Sequence, residues 1–379
     1  MKTKAIVLGC GMVGATMARD LSADAGFEVA AADLSAERLG TLAEAGIRTI
    51  RADLGDAGQV GRLVGNFDVV LGALPSRIGF QTLSAVIGAG KPYCDISFMP
   101  ENALELDEAA KRRGVTCVVD CGVSPGLSNL IVGYVVACFE RVDRAVIYVG
   151  GLPKKRTWPF EYKAPFAPFD VLEEYTRPAR LIEYGQVVTR AALSEPELLE
   201  FERVGTLEAF NTDGLRSLLH TVRIPHLVEK TLRYPGHIEL MRVLRETGFF
   251  GREEIEVGGA RVRPIDVTAR LMFPLWTFEP GEEEFTVLRV AAEGVKGGVR
   301  VQELFELYDE TEAESGVTSM ARTTAFPCTI VARMQAGGEI CERGVLPPER
   351  LARIPGVYER IVEQLRSRGV VLTRREELL

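Results

Sequence analysis

Between Lys4 and Gly14 the chain reads KAIVLGCGMVG: a short apolar run, three glycines spaced G-x-G-x-x-G, then a helical pattern through Ala15, Met17, Ala18 and Leu21. Few folds accept this pattern. Gly9 permits the tight turn, Gly11 lets backbone approach a pyrophosphate, and Gly14 lets the helix lie close on the strand. Met12 and Val13 complete the loop, and the helix start offers N–H groups and a positive dipole end to phosphate. A second apolar run, 28–32, ends in Asp33, where an acid can hold a ribose diol. The rival reading is a glycine-rich turn in an unrelated α/β protein. It explains neither the preceding strand nor the acid.

Strand-like runs alternate with helical ones through the first third: 5–8, 29–32, 48–50, 69–71, 93–96 and 115–119, separated by amphipathic stretches near 13–23, 36–44, 60–64, 78–87 and 103–113. That alternation predicts an α/β fold with a doubly wound parallel sheet, a Rossmann domain. Ligands in such sheets sit beyond the carboxyl ends of the strands. The rule selects Asp53, the loop Ala73-Leu74-Pro75-Ser76, Asp95 and the stretch from Asp120 to Gly122. Leu74 and Pro75 are expected on the nicotinamide side, with Gly122 and Ser124 at the mouth between domains.

The segment GVSPGLSN (122–129) ends the alternation, and a boundary is expected there. Beyond it, a strand at 145–149 and a strand pair at 285–292 and 299–308, joined through Lys296-Gly297-Gly298, predict an α+β second domain. Its sheet should be mixed or antiparallel, with helices on one side. Pro327 should kink or split a helix over 318–335.

A net charge of -8 does not indicate a phosphate-neutralising surface, so no nucleic-acid partner is expected. Seven cysteines fall without metal-ligand spacing, so no metal site is expected, and reduced, buried thiols are the default. The first strand begins almost at once, and the most apolar run, 130–139, is about half a bilayer span. A cytoplasmic protein with no membrane partner is the expectation.

Three histidines bound the acid–base candidates. His237 lies in the polar turn KTLRYPGH, where it serves either as a base or as a capping surface residue. His220, within an apolar run, reads more readily as a core histidine, and His226 carries less signal. Arg233 suits bidentate binding of a carboxylate, with Lys230 adding charge; a solvated pair is the plainer alternative. Lys163 would act as a base if desolvated. Asp95 and Asp120 end strands on the ligand side, though such aspartates also cap helices.

GCGMVG, Asp33, GALPS (72–76), YCDIS (93–97), DCGVSPGLSN (120–129), YVGGLP (148–153), LEAFNTDGL (207–215), KTLRYPGH (230–237), SMARTTA (319–325) and RGVLPPE (343–349) occur in this order. The series resembles the saccharopine dehydrogenase family over nearly the whole chain. Within it, the chain looks most like the branch holding lysine 6-dehydrogenases and saccharopine dehydrogenase-like proteins. ISFMPEN after Asp95 departs from the glycine-rich version in lysine 6-dehydrogenases.

The resemblance implies a Rossmann domain of 1–121 that the tail, about 320–379, rejoins, a substrate and dimerisation domain of 122–319, and a homodimer. It also implies oxidation of the C–N bond of a lysine-like amino acid by nicotinamide. Asp33 should favour NAD over NADP, because a carboxylate repels a 2′-phosphate. In that setting Arg233, beside Tyr234, would hold the α-carboxylate, with Ser124 at the mouth. His237 or Lys163 would be the base, with Asp95 as orienter or alternative. A carboxynorspermidine-type polyamine dehydrogenase and a non-catalytic NAD-sensing protein are the alternatives. A longer dicarboxylate would need a second cation, Arg77 or Lys154.

Overall fold

The structure, a computed structural model, describes residues 2–164 and 168–379. The alternating first third forms β1 (Thr3–Leu8), β2 (Phe27–Asp33), β3 (Arg48–Arg51), β4 (Val69–Gly72), β5 (Tyr93–Asp95) and β6 (Thr116–Val118). Neighbouring strands pair in parallel. Ala5 to Leu8 and Val69 to Leu71 are buried to within 1 %. That is the continuous apolar burial of strands covered by helices on both faces. The expected boundaries hold to within two residues for these strands.

After the helix Leu127–Cys138 the pattern changes. A second sheet contains β7 (Arg141–Pro153), β8 (Ala179–Glu183), β9 (Gln186–Arg190), β10 (Glu197–Phe201), β11 (Gly205–Asn211) and β12 (His226–Arg233). A separate hairpin, β13 (Ile255–Val257) and β14 (Ala260–Val262), follows, and then β15 (Glu284–Lys296) and β16 (Val299–Glu310) return to the sheet. Gly297 and Gly298 have φ of 60° and 78°, the left-handed pair that a two-residue hairpin turn requires. The sheet is mixed, since β12 runs parallel to β7 while β15 runs antiparallel to it.

Helices cover both faces of this sheet, not one. Ile147 and Val290 face the helix Leu127–Cys138 in one apolar cluster. Val146 and Val287 pack on the opposite side with Val171, Ile238 and Ile265. The strand runs in the sequence are too short to show which alternate residues meet helices distant in the chain.

In the tail, β17 (Gly344–Leu346) joins the parallel sheet beside β6, while β18 (Leu372–Leu378) pairs with β16. The segment 320–379 is therefore divided between the sheets, where the expectation gave all of it to the nucleotide domain. The resulting orders are β17-β6-β5-β4-β1-β2-β3 for the parallel sheet and β10-β11-β12-β7-β15-β16-β18 along the second.

The helix Ser319–Ala336 joins the two layers, and it is a single helix with Pro327 inside it. Thr318 caps it by accepting from the Ala321 N–H, and the Met320 N–H donates to Glu284 of β15 at 2.7 Å. The Thr318 hydroxyl lies 3.2 Å from the Met12 sulfur at the glycine loop. Toward the other end, Arg333 meets Asp20 at 2.7 Å on the helix Met12–Ser22 and Asp24 at 3.2 Å in the turn after it. The glycine loop is thus held against the start of β15, an interior strand of the second sheet.

Candidate active site

The strand order reverses between β1 and β4, and the crevice of a doubly wound sheet opens there. Gly9 (φ 94°) and Ala73 meet across it: a Cβ on Gly9 would lie 2.3 Å from the Ala73 carbonyl oxygen. A Cβ on Gly14 would lie 1.9 Å from the Gly9 carbonyl oxygen, so neither position accepts a side chain. Gly11, by contrast, faces open space, and no side chain caps the helix Met12–Ser22 that starts after it. The first-turn N–H groups are free of a side-chain acceptor and face a surface stripped of Cβ atoms, which fits a pyrophosphate.

Asp33, at the end of β2, accepts from the Cys10 N–H at 2.7 Å and the Ser35 N–H at 2.8 Å. Asp53 lies beyond the edge strand β3 and closes a turn by accepting from the Gly55 N–H at 2.9 Å. Leu74 and Pro75 follow β4 at the crevice, and the helix Ser76–Gly88 starts directly after them. Gly9, Gly11, Met12, Val13, Gly14, Ala73 and Leu74 are brought together, with Asp33 on one side. Gly122 stands past β6, where its carbonyl accepts from the Leu127 N–H and helps start the next helix.

Above the ends of β5 and β6 lies a pair the sequence reading did not assemble. Arg216, from the segment between β11 and β12, reaches Asp120 with Nε at 3.3 Å and Nη2 at 3.2 Å. Its Nη1 donates to the Met99 carbonyl, and its guanidinium sits 4.7 Å from the Phe98 ring centre. Asp120 is 4 % exposed and Arg216 9 %. Both have left-handed backbone, with φ of 51° and 53°. Non-glycine residues hold that conformation at a cost of about 1–3 kcal/mol, and such strain collects at ligand sites. Arg177, from the other layer too, stands 5.9 Å from the Phe98 ring centre. Arg216 directly follows NTDGL, and that adjacency was the available signal.

The expected catalytic residues lie elsewhere and are not brought together with this pair. His237 is 3 % exposed, with Nε2 at 2.9 Å from the Tyr175 hydroxyl and Nδ1 at 2.8 Å from the Phe160 carbonyl. The carbonyl can only accept, so Nδ1 carries the proton and Nε2 accepts from Tyr175. Neither nitrogen is left to take a proton from substrate. Burial, and then the charge of Arg233, push this imidazole down to about 3.

Arg233 is occupied as well, by Glu174 at 2.6 Å and the Tyr175 hydroxyl at 3.3 Å, and it stacks 4.2 Å from the Tyr162 ring centre. Tyr234 donates to the Pro153 carbonyl at 2.9 Å. Lys163 is ion-paired with Glu282. The RYPGH segment therefore builds an aromatic and ionic core behind β12. His220 is exposed, not in a core, and His226 rests edge-on against Tyr184.

Asp95 is nearer the crevice but fully buried. It accepts from the Ser97 hydroxyl at 2.8 Å and from the Tyr93 hydroxyl at 3.1 Å. Burial raises its carboxyl to about 7, against those hydrogen bonds. It orients the loop after β5 from below and has no surface to offer a substrate. Ser124 is half-buried and accepts from the Ser128 hydroxyl at 2.9 Å.

If His237 is structural, its ring should stay neutral by NMR from pH 7 down toward its folded value of about 3. An unfolded histidine protonates near about 6.5. The folded state binds fewer protons between those values, so stability contributed here is complete above about pH 6.5 and declines as the pH falls. His237→Gln should flatten that acid slope and cost about 1–3 kcal/mol from lost buried hydrogen bonds. A ring that titrates near its ordinary value would contradict the assignment.

Comparison with known proteins agrees with the architecture. The family model described as the saccharopine dehydrogenase NADP binding domain matches residues 5–118, and that of the saccharopine dehydrogenase C-terminal domain matches 122–370. The NADP(+), L-glutamate-forming saccharopine dehydrogenase of Pyricularia oryzae is 24% identical over 92% of this chain and 94% of its own. The mitochondrial alpha-aminoadipic semialdehyde synthase of Mus musculus is 21% identical over 98% of this chain and 47% of its own. The solved apo structure of the L-Glu-forming saccharopine dehydrogenase of Saccharomyces cerevisiae superposes with a TM-score of 0.83, at 18% identity, over 99% of this chain and all of that one. With both family models matched in order along one chain, this protein belongs to the saccharopine dehydrogenase family of pyridine-nucleotide-dependent oxidoreductases.

Proposed function

We propose that the chain oxidises the C–N bond of an amino acid held between Arg216 and Asp120. The observation that carries this reading is the buried, backbone-strained pair those residues form above the ends of β5 and β6. Arg216 spends Nε and one N–H on each Nη nitrogen on Asp120 and Met99. A guanidinium has five N–H groups, so one remains on each Nη, a fork that suits a carboxylate. A zwitterion is complementary to the pair: its carboxylate meets Arg216 while its amino group meets Asp120. Neither buried charge is then left alone, which for a lone partner would cost about 3–5 kcal/mol.

In the oxidative direction, on this reading, the substrate nitrogen loses a proton to Asp120 and the adjacent carbon loses hydride. Bound nicotinamide supplies the hydride acceptor. The resulting C=N bond is hydrolysed by water to an amine and a carbonyl compound. The chain's own task is placement and charge.

Within this reading, a substrate with a second carboxylate is favoured over L-lysine. Arg177 lies against the same Phe98 ring as Arg216 and, although it meets Glu173 at 3.4 Å, is the second cation this reading assigns. Of the cations considered from sequence, Lys154 is tied to Glu310 at 2.7 Å and Glu283 at 3.1 Å, and Arg77 is exposed. The names of the curated relatives that are saccharopine dehydrogenases point the same way, to saccharopine. Arg216→Lys should raise the Michaelis constant for the amino acid roughly tenfold or more with nucleotide binding unchanged, and Asp120→Asn should lower kcat by about 10²–10⁴. An unchanged Michaelis constant and kcat in both variants would overturn the reading. Turnover with L-lysine but not saccharopine would move the substrate.

We further propose NAD as the preferred nucleotide, although NADP appears in the relatives' names. Asp33 is anchored by two backbone N–H groups at the end of β2, and Leu34 after it brings no donor for a 2′-phosphate. Arg38, 3.8 Å from Asp33 and exposed, is the basic group within reach. Asp33→Ser should therefore shift the kcat/KM ratio toward NADP by about tenfold or more. If NADP is already preferred and Arg38→Ala abolishes that preference, Arg38 is the phosphate ligand and the proposal falls.

A further inference from the structure

Arg216 keeps its left-handed backbone within the segment Thr212 to Thr221, part of the connection from β11 to β12. A non-glycine residue holds such backbone only where its surroundings over-determine it. Ionic contacts fix two residues of the segment. Asp213 accepts from Nε and Nη2 of Arg180, both at 2.8 Å, and Arg216 itself meets Asp120. Two further carboxyl groups reach the segment, and neither belongs to the site described above. Glu229 comes from β12, and Glu349 from the helix Pro348–Leu351 just after β17. Glu229 is 4 % exposed and Glu349 is fully buried.

Glu229 lies against the first half of the segment. Its Oε2 accepts from the Thr212 hydroxyl, which also lies 2.9 Å from the Thr231 hydroxyl. A Cβ on Gly214 would stand 2.4 Å from that same carboxyl oxygen, so no other residue fits there. The carboxyl is thus in direct contact with backbone two residues before Arg216.

Glu349 braces the second half. Its Oε1 accepts from the Thr221 hydroxyl, and Arg353 donates from Nη2 to the Thr221 carbonyl at 3.3 Å. Glu349 is itself fixed from behind: a Cβ on Gly133, in the helix Leu127–Cys138, would lie 2.4 Å from the Glu349 carbonyl oxygen. The tail that carries β17 into the parallel sheet therefore also grips the segment that carries Arg216.

Burial pushes the Glu229 carboxyl up to about 8, against the Thr212 hydroxyl. Burial raises the Glu349 carboxyl too, against the hydroxyls of Thr221 and of Ser217, the residue after Arg216. An acid pushed toward its neutral form can hold hydroxyl and backbone groups without drawing the guanidinium away from Asp120.

We propose that Glu229 and Glu349 are positioning residues for Arg216: they fix its segment on both sides, so that the guanidinium fork stays aimed at the substrate carboxylate. The proposal rests on the reading of Arg216 as the carboxylate ligand.

The test measures initial rates of the full chain with whichever of saccharopine and L-lysine it oxidises. Glu229→Ala and Glu349→Ala should each raise the Michaelis constant for the amino acid by about fivefold or more, with kcat within about threefold and nucleotide affinity unchanged. Glu229→Gln and Glu349→Gln keep the hydrogen bonds of a neutral acid and should stay within about twofold of the unaltered protein. In an Arg216→Lys background, either alanine substitution should add less than about twofold, because the fork it positions is gone. A general structural defect would multiply through, so equal fold increases in both backgrounds would overturn the proposal. Alanine variants with an unchanged Michaelis constant, beside an Arg216→Lys variant that raises it, would overturn it too and leave the Arg216 reading standing. An unchanged Michaelis constant in Arg216→Lys, or no turnover of either amino acid, removes that reading and the proposal with it. Should an alanine variant fail to fold, Thr212→Val or Thr221→Val severs the same contact from the segment's side and should give the same increase.

Discussion

A guanidinium with almost no exposure to water must be answered by the protein around it, and Arg216 is answered almost wholly from the other layer. Asp120, the Met99 carbonyl and the Phe98 ring come from the ends of β5 and β6, while Arg216 comes from the second sheet. Removing one partner of such a pair costs about 3–5 kcal/mol, because the other is left buried and alone. The pair therefore joins the two layers at the point where the parallel sheet presents its ligand edge. The same physics makes it exchangeable. A ligand carrying both charges can replace each partner for the other without stranding either.

The second junction is mechanical. The helix Ser319–Ala336 has its first turn anchored to Glu284 of β15 and its later turns anchored to Asp20, in the last turn of the helix that starts at the glycine loop. Glu284 is fully buried, and burial pushes it up to about 7, with the Met320 N–H pulling the other way. A carboxylate at a helix start is favoured by the helix dipole. The loop that fits a pyrophosphate is in this way registered against the second sheet by a single rigid element. The crevice and the Arg216 pair are set in place by different contacts, and both must hold for a nucleotide and a substrate to meet.

Much of the nucleotide half was legible in the sequence, because its signals are local. The glycine spacing, the acid after β2 and the loop after β4 each depend on a few adjacent residues and on backbone sterics. The second half was legible only as a class. Helices on both faces of its sheet, and the division of the tail between β17 and β18, follow from pairings of strands far apart in the chain. The site was the least legible part. His237 and Arg233 have the chemistry of a base and a carboxylate clamp, and their polar turn pointed outward. In three dimensions Tyr162, Tyr175 and Glu174 close around them. Arg216 carried no motif of its own, and its significance arises from a partner 96 residues away.

The most direct test of the account is a crystal structure of the full chain with nucleotide and saccharopine bound together. The account predicts a substrate carboxylate in hydrogen-bond contact with Arg216, the reacting nitrogen beside Asp120, and Arg233 still paired with Glu174. A substrate carboxylate on Arg233 with the reacting nitrogen beside His237, and the Arg216–Asp120 pair undisturbed, would contradict it.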